Sequence, residues 1–165
     1  MHEVARRIHS FDGFHDIEGT ASGRHPVPGT GIRAHVELAH RYGALYHLYD
    51  DGKVAATLPM MREIGVDLVS TLCPPPSGDV TLQEARRAVG TRLCLNGGID
   101  TVNTVWRGSP TTIDNAIRDA IAAAHRPEGG YIVGTSDSIV EQTPPENFRA
   151  FFEAARKHGT PGKAV

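Results

Sequence analysis

The feature that most limits the fold of this chain is a repeating order of elements. A β-branched apolar strand leads into a polar loop, then a helix, then a glycine that stops the helix. The spacing predicts a helix over 32–42, with Ile32, Val36 and Ala39 on one face and Gly43 as its stop. A strand follows over 44–49. A helix over 53–64 carries Val54, Leu58, Met61 and Ile64 as its buried stripe, with Pro59 as a kink. The next strand spans 66–72 and a proline-rich loop spans 73–79. Thr81 and Glu84 form a capping-box pattern that opens a helix running to Val89. Then come a strand over 92–95, a loop over 96–110 and a helix ending at 125, with Ile113, Ile117 and Ile121 as its stripe. A strand over 131–134, a loop over 135–146 and a helix over 147–158 complete the pattern. Upstream, residues 1–8 read as a helix end, 11–17 as a strand and 18–30 as a Gly/Pro-rich loop.

Strands alternating with helices through short helix-to-strand turns imply parallel strands and right-handed crossovers. Two α/β architectures fit: a doubly wound open sheet, and a (β/α)8 barrel or part of one. No Gly-x-Gly-x-x-Gly opens a helix, so a dinucleotide fold has little support. With no linker and no low-complexity tract, residues 1–165 are expected to form one domain.

Charge narrows the function classes. Seventeen Lys and Arg stand against 19 Asp and Glu, which leaves no basic footprint for nucleic acid or an anionic membrane. Two cysteines cannot build a disulfide framework, and no apolar run approaches the ~20 residues of a membrane span. No signal-peptide pattern follows Met1, so the expected location is the cytoplasm.

Parallel strands bring their carboxyl ends to one rim, where both architectures bind ligands. The polar groups expected there are Asp16 and Glu18, then His47, Tyr49 and Asp50, then Cys73 and Asp79. Asn96 and Asp100 follow, and after them Ser136, Asp137 and Ser138. His47 suits a metal ligand or general base, because imidazole titrates near neutral pH. It equally suits a hydrogen-bonded residue filling a barrel layer. Cys73 suits a thiolate metal ligand or a small buried hydrophobe, and Cys94 reads as core. Asp137 suits a cation ligand, an orienter of His47, a site for a substrate amine, or an Asx-turn. Asp100 reads as a catalytic carboxylate or as the cap of the following turn. Glu18, Tyr49, Asn96 and Ser136 are expected to contact substrate. Asp79 reads as a residue of a helix N-terminus. The Arg86/Arg87 and Arg156/Lys157 pairs read as solvated helix faces, and Trp106 as a packing residue.

Several segments together resemble the uroporphyrinogen decarboxylase superfamily, which also holds corrinoid-dependent methyltransferases. They are Ile17-Glu18-Gly19-Thr20, Pro74-Pro75-Pro76-Ser77-Gly78-Asp79, Leu95-Asn96-Gly97-Gly98-Ile99-Asp100 and Gly129-Gly130-Tyr131-Ile132-Val133. Arg107-Gly108-Ser109-Pro110 and Thr143-Pro144-Pro145-Glu146-Asn147 extend the match, in order, over about 12–159. The resemblance implies a partial (β/α)8 barrel of about five parallel strands, the carboxyl-terminal part of the family fold. The decarboxylases' amino-terminal Arg-rich loop and catalytic Asp have no counterpart here. Their carboxyl-terminal His, and a Cys zinc ligand of the methyltransferases, both fall on Asp137. The methyltransferases' His-x-Cys pair falls on His47-Leu48-Tyr49, so the His is kept and the Cys is Tyr49. Replacing two thiolates by Tyr49 and Asp137 leaves a harder, O-rich site, suited to zinc less and to a harder divalent cation more, and the implied metal set is His47 and Asp137 with Cys73 or Glu18.

The resemblance therefore implies a catalytic set of His47, Asp137 and Asp100, and a small-molecule or tetrapyrrole ligand. A corrinoid would enter as a cofactor bound by a partner. The expected activity is porphyrinogen decarboxylation or methyl transfer from a small methylated substrate. The alternatives are a catalytically incompetent barrel fragment and a binding module without turnover. A complete barrel typically needs ~250 residues, so a homo-oligomer or a partner supplying the missing strands is also expected.

Overall fold

A computed structural model of the chain describes residues 8–11 and 29–159. Five strands form one sheet: β1 (Ile8–Phe11), β2 (Leu45–Tyr49), β3 (Leu68–Leu72), β4 (Cys94–Ile99) and β5 (Tyr131–Thr135). Helices α1 (Gly29–Arg41), α2 (Leu58–Ile64), α3 (Leu82–Val89) and α4 (Pro110–Ala124) connect successive strands, and α5 (Pro145–His158) follows β5. The strand order is β1-β2-β3-β4-β5, with every neighbouring pair parallel.

That order decides between the two architectures. A doubly wound sheet reverses strand order at a switch point and carries helices on both faces. Here the order never reverses, so right-handed crossovers send every helix to the same side. The chain is an arc of a (β/α)8 barrel. Its core lies between sheet and helices, where Leu48, Val69, Leu72, Leu95 and Ile99 meet Val36, Leu58, Met61, Val89, Ile113 and Ile117. On the opposite, inner face, strand alternation places Leu45, His47 and Tyr49, then Leu68, Cys94, Asn96 and Ile132, none of them fully buried. Among the described residues, β1 and β5 each keep one unpaired edge. Leu38 on α1 and Tyr42 just after it, and Phe148 and Phe152 on α5, are exposed at the two ends of the helical layer. No described helix is long and apolar enough to cross a membrane.

Several boundaries differ from expectation for identifiable reasons. The second helix starts at Leu58 rather than residue 53, because Pro59 occupies its first turn, where a missing N–H costs nothing. Residues 54–57 form a turn instead. Asp79 is not at a helix N-terminus; its Oδ1 accepts the N–H groups of Val54 (2.9 Å) and Ala55 (3.1 Å) and holds that turn. The expected loop over 96–110 is mostly ordered: β4 continues to Ile99, and a π-helical turn spans Thr101–Trp106. Gly97 makes this passage feasible, since it sits at φ +114° with a would-be Cβ 2.7 Å from the Leu72 nitrogen. Gly29 and Thr30 belong to α1 rather than to a loop. The expected helix end over 1–8 meets a strand at Ile8, and the strand expected over 11–17 lies, apart from Phe11, outside the described residues.

The largest correction concerns Arg86, expected on a solvated face. It is 4% exposed, beneath the junction of α3, β4, α4 and β5. Its Nε donates to the Ala124 carbonyl (2.8 Å), Nη1 to Gly90 (2.7 Å) and Leu93 (3.1 Å), and Nη2 to Gly130 (2.7 Å). Arg87, the next residue, is exposed.

Candidate functional site

Two neighbouring regions at the carboxyl ends of the strands carry the polar groups. The first is a cleft of about 200 Å³ lined by Asp51, Cys73, Ser77, Asp100, Thr101, Ser136 and Asp137, with Gly52 and Val102. Loops after four different strands meet there, as the barrel architecture requires.

The cleft is held by short side-chain-to-backbone bonds. Asp100 caps the π-helical turn: Oδ1 accepts the N–H groups of Val102 (2.8 Å) and Asn103 (2.7 Å). Its Oδ2 accepts the Ser77 hydroxyl (3.0 Å) and the Asn103 side-chain amide (2.9 Å). Burial alone would raise this carboxyl, but the bonds from Asn103, Ser77 and Val102 outweigh it and hold Asp100 below its ordinary value. A carboxylate with four donors is a structural anchor with little remaining basicity. Ser136, buried, accepts the Thr101 N–H (3.1 Å), while its own N–H bonds the Ile99 carbonyl (2.8 Å). The Asp137 backbone exchanges two bonds with the Thr101 hydroxyl, and its Oδ1 accepts the Ser138 N–H (2.6 Å). This bond reaches only the next residue, one short of an Asx-turn, and Asp137 itself is exposed at the cleft. Cys73 is buried and its thiol is raised, first by burial and further by the Asp100 and Asp137 charges, against an opposing bond from Ser136. It stays a protonated thiol near neutral pH.

The second region is the inner face. His47 Nε2 lies 2.5 Å from Ser70 Oγ, and burial lowers the imidazole below its ordinary value. Asn96 lies across Gly134, so close that any side chain at 134 would collide with it. Beside Ser70, Thr71 sits at φ +66°, a region a β-branched residue enters only under constraint. The register between β3 and β4 shifts between Val69 and Leu72, while the β2–β3 register is unbroken and sets Ser70 opposite Tyr49.

The structure thus brings together Cys73, Asp100, Ser136 and Asp137, and keeps His47, Tyr49 and Asn96 apart from them on the inner face. Glu18 lies outside the described residues. His47 lies outside the cleft lining with its Nε2 on Ser70 Oγ, so His47, Asp137 and Cys73 are not gathered around one point. Among the described residues no group of three or more His, Cys, Asp or Glu side chains is placed to hold a metal ion. Asp51, Ser77, Thr101 and Ser70 are not singled out by the sequence. For the first three the available signal was position directly after a strand; for Ser70, inside β3, there was none.

Asp50 closes β2 with 7% exposure, and burial, then the charge of Asp51, pushes its carboxyl up from 3.8 to about 6. The folded chain holds that proton more tightly than the unfolded chain does. Its contribution to stability is therefore complete below about pH 4 and is lost as pH rises through about 6. Asp50→Asn is expected to stabilise the chain by about 2 kcal/mol at pH 7.5 and by almost nothing at pH 4. Urea midpoints measured across that range check it; parallel profiles for the two proteins would refute the assignment.

A family model described as uroporphyrinogen decarboxylase matches residues 31–158. The uroporphyrinogen decarboxylase of Trichodesmium erythraeum is 33% identical over 110 residues, 67% of this chain and 28% of that protein. The chloroplastic uroporphyrinogen decarboxylase of Nicotiana tabacum is 34% identical over 122 residues, 73% of this chain and 28% of that protein. A methylated-thiol–coenzyme M methyltransferase of Methanosarcina mazei is 27% identical over 130 residues, 79% of this chain and 32% of that protein. A solved methyltransferase from Methanosarcina mazei superposes with a TM-score of 0.62 at 19% identity, covering 76% of this chain and 35% of its own, which supports the shared fold. The chain spans under a third of the length of these curated relatives. Matched by that family model across all its described helices after the first few residues of α1, and across four of its five strands, the chain belongs to the uroporphyrinogen decarboxylase family.

Proposed function

We propose that the carboxyl rim of this arc binds a small methylated thiol-type substrate, as in the methyltransferase branch of the family, with turnover belonging to the barrel as a whole. The observation that carries this reading is the cleft itself. It is about 200 Å³, bears the carboxylates of Asp51, Asp100 and Asp137, and has no Lys or Arg among the described residues that line it. A uroporphyrinogen is a tetrapyrrole with eight carboxylates. It is larger than the cleft, and each carboxylate facing a like charge in a partly desolvated site is disfavoured. A small neutral or zwitterionic thioether matches both volume and charge. Hydroxyl groups of Ser77, Thr101 and Ser136 surround the protonated Cys73 thiol and supply polar contacts without adding charge.

Porphyrinogen decarboxylation is the second reading, favoured by the 33% identity to a cyanobacterial decarboxylase over 67% of this chain. The two separate by titration calorimetry on the purified chain, using methionine, a zwitterionic methyl thioether, and uroporphyrin I as probes. The methyl-transfer reading expects saturable binding of the thioether, weakened at least ~10-fold by Ser136→Leu, which fills the cleft. Saturable binding of uroporphyrin with none of the thioether would overturn it.

A further inference from the structure

The inner face holds a pair that the rim cleft does not use. Ser70 is 5% exposed, and its Oγ lies 2.5 Å from His47 Nε2. A buried hydroxyl hydrogen left without an acceptor is costly, so the Ser70 proton must be given to something. Its neighbour Thr71 directs its own hydroxyl at backbone carbonyls, that of Asp50 at 2.9 Å among them. Among the described residues His47 Nε2 is the acceptor within reach of Ser70. If Ser70 donates there, Nε2 carries a lone pair and the ring hydrogen sits on Nδ1. Ser70 stands beside His47 because the unbroken β2–β3 register pairs Leu68 with His47 and Ser70 with Tyr49, which turns both side chains to the inner face. The shift in the β3–β4 register and Thr71 at φ +66° lie on the other side of β3 and leave this pairing intact.

We propose that Ser70 is a positioning residue that holds His47 as the neutral Nδ1–H tautomer, so that the ring serves as a hydrogen-bond donor to a carbonyl or carboxylate oxygen of a ligand rather than as an Nε2 metal ligand. This rests on the reading of the carboxyl ends of the strands as a ligand site. It gives the inner face, beside the acidic cleft rather than within it, a directional donor.

The test needs no substrate, so its failure is distinguishable from a failure of the calorimetry. The full chain, uniformly 15N-labelled, is followed by long-range 1H–15N correlation at pH 7.5, with the His47 signals assigned by their loss in His47→Gln. The expected spectrum is a single Nδ1–H tautomer with Nε2 at the shift of an unprotonated, hydrogen-bonded nitrogen. It should be unchanged by one equivalent of zinc chloride. Ser70→Ala should lose the single-tautomer signature and Ser70→Thr should restore it. An Nε2–H tautomer or an imidazolium in the parent chain, or an Nε2 signal moved by zinc, overturns the proposal. If the alanine variant fails to fold, the parent spectrum with and without zinc decides the point alone.

Discussion

Replacing Arg86 by Ala is expected to destabilise the chain by about 3–4 kcal/mol, because four backbone carbonyls lose a hydrogen bond at once, Gly130 keeping the Leu95 N–H (3.2 Å) as a second donor. Two of those carbonyls, from Gly90 and Ala124, belong to the carboxyl ends of α3 and α4, where the helix leaves its last carbonyls unpaired and partially negative. The other two, from Leu93 and Gly130, lie just before β4 and β5. One guanidinium therefore ties two helix ends to two strand starts, on the side of the sheet away from the rim. Burial lowers its pKa, yet a guanidinium stays protonated at any pH the fold survives. Arg86→Lys should recover only part of the loss, since one ammonium cannot span the fork that reaches Ala124 and Gly130 together. Urea unfolding of the three proteins reads this directly. An alanine variant within ~1 kcal/mol of the parent, the range of an exposed side chain, would show that water replaces the guanidinium at little cost.

The second large effect is expected at Asn147, which is 2% exposed at the start of α5. Its side-chain amide donates to the carbonyls of Val105 (2.9 Å) and Gly108 (2.8 Å), and more weakly to Trp106 (3.5 Å). These are the last carbonyls of the π-helical turn and the tight turn before α4. The turn begins at Asp100 and carries Thr101 and Val102 into the cleft, so Asn147 fixes the cleft from behind. Asn147→Ala should cost about 2–3 kcal/mol. Asn147→Asp should cost more, because it turns a carboxylate toward carbonyl oxygens. Hydrogen exchange should rise at 101–106 in both variants before it rises in β3. Equal stability of the two variants would mean that the amide hydrogens are not what the turn requires. The same bond explains why Thr143-Pro144-Pro145-Glu146-Asn147 is a recognisable segment: prolines set the helix start and Asn147 locks it to the preceding loop.

Much of the fold was legible. The alternation of period-2 strands with period-3.6 helices, and glycine stops at Gly43, Gly65 and Gly90, placed the elements after residue 31 to within a few residues. The Thr81–Glu84 capping box is present as expected, with the Glu84 N–H on Thr81 Oγ1 and the Thr81 N–H on the Glu84 carboxylate. Arg86 was legible in principle as well. It lies four residues after Leu82 and three before Val89, on the apolar stripe, while Arg87 is turned about 100° away. Adjacent in sequence, the two arginines read as one basic pair, although they occupy different faces of α3. The candidate site was less legible. Position after a strand selected Cys73, Asp100, Ser136 and Asp137 as rim residues, and the cleft joins them. Nothing in the chain's pattern separated His47 from that group, because sequence order shows which strand end a residue occupies but not whether it points to the rim or across the sheet.

By itself the sequence determined the element order, the parallel sheet and the family, because each depends on local periodicity and on short segments read in place. Only the tertiary structure showed the strand order, which never reverses and so bears out the barrel arc that the family resemblance implies. It alone showed that Asp100, expected as a cap, is saturated by the Ser77 hydroxyl as well, that Arg86 is buried as a four-way donor and that His47 meets Ser70. The bonds that decide these roles join residues 23 to 44 positions apart: Ser77 to Asp100, His47 to Ser70, and Arg86 to Ala124 and Gly130. They are set by how strands stagger and where carbonyls are left unpaired, and a linear pattern carries no record of either.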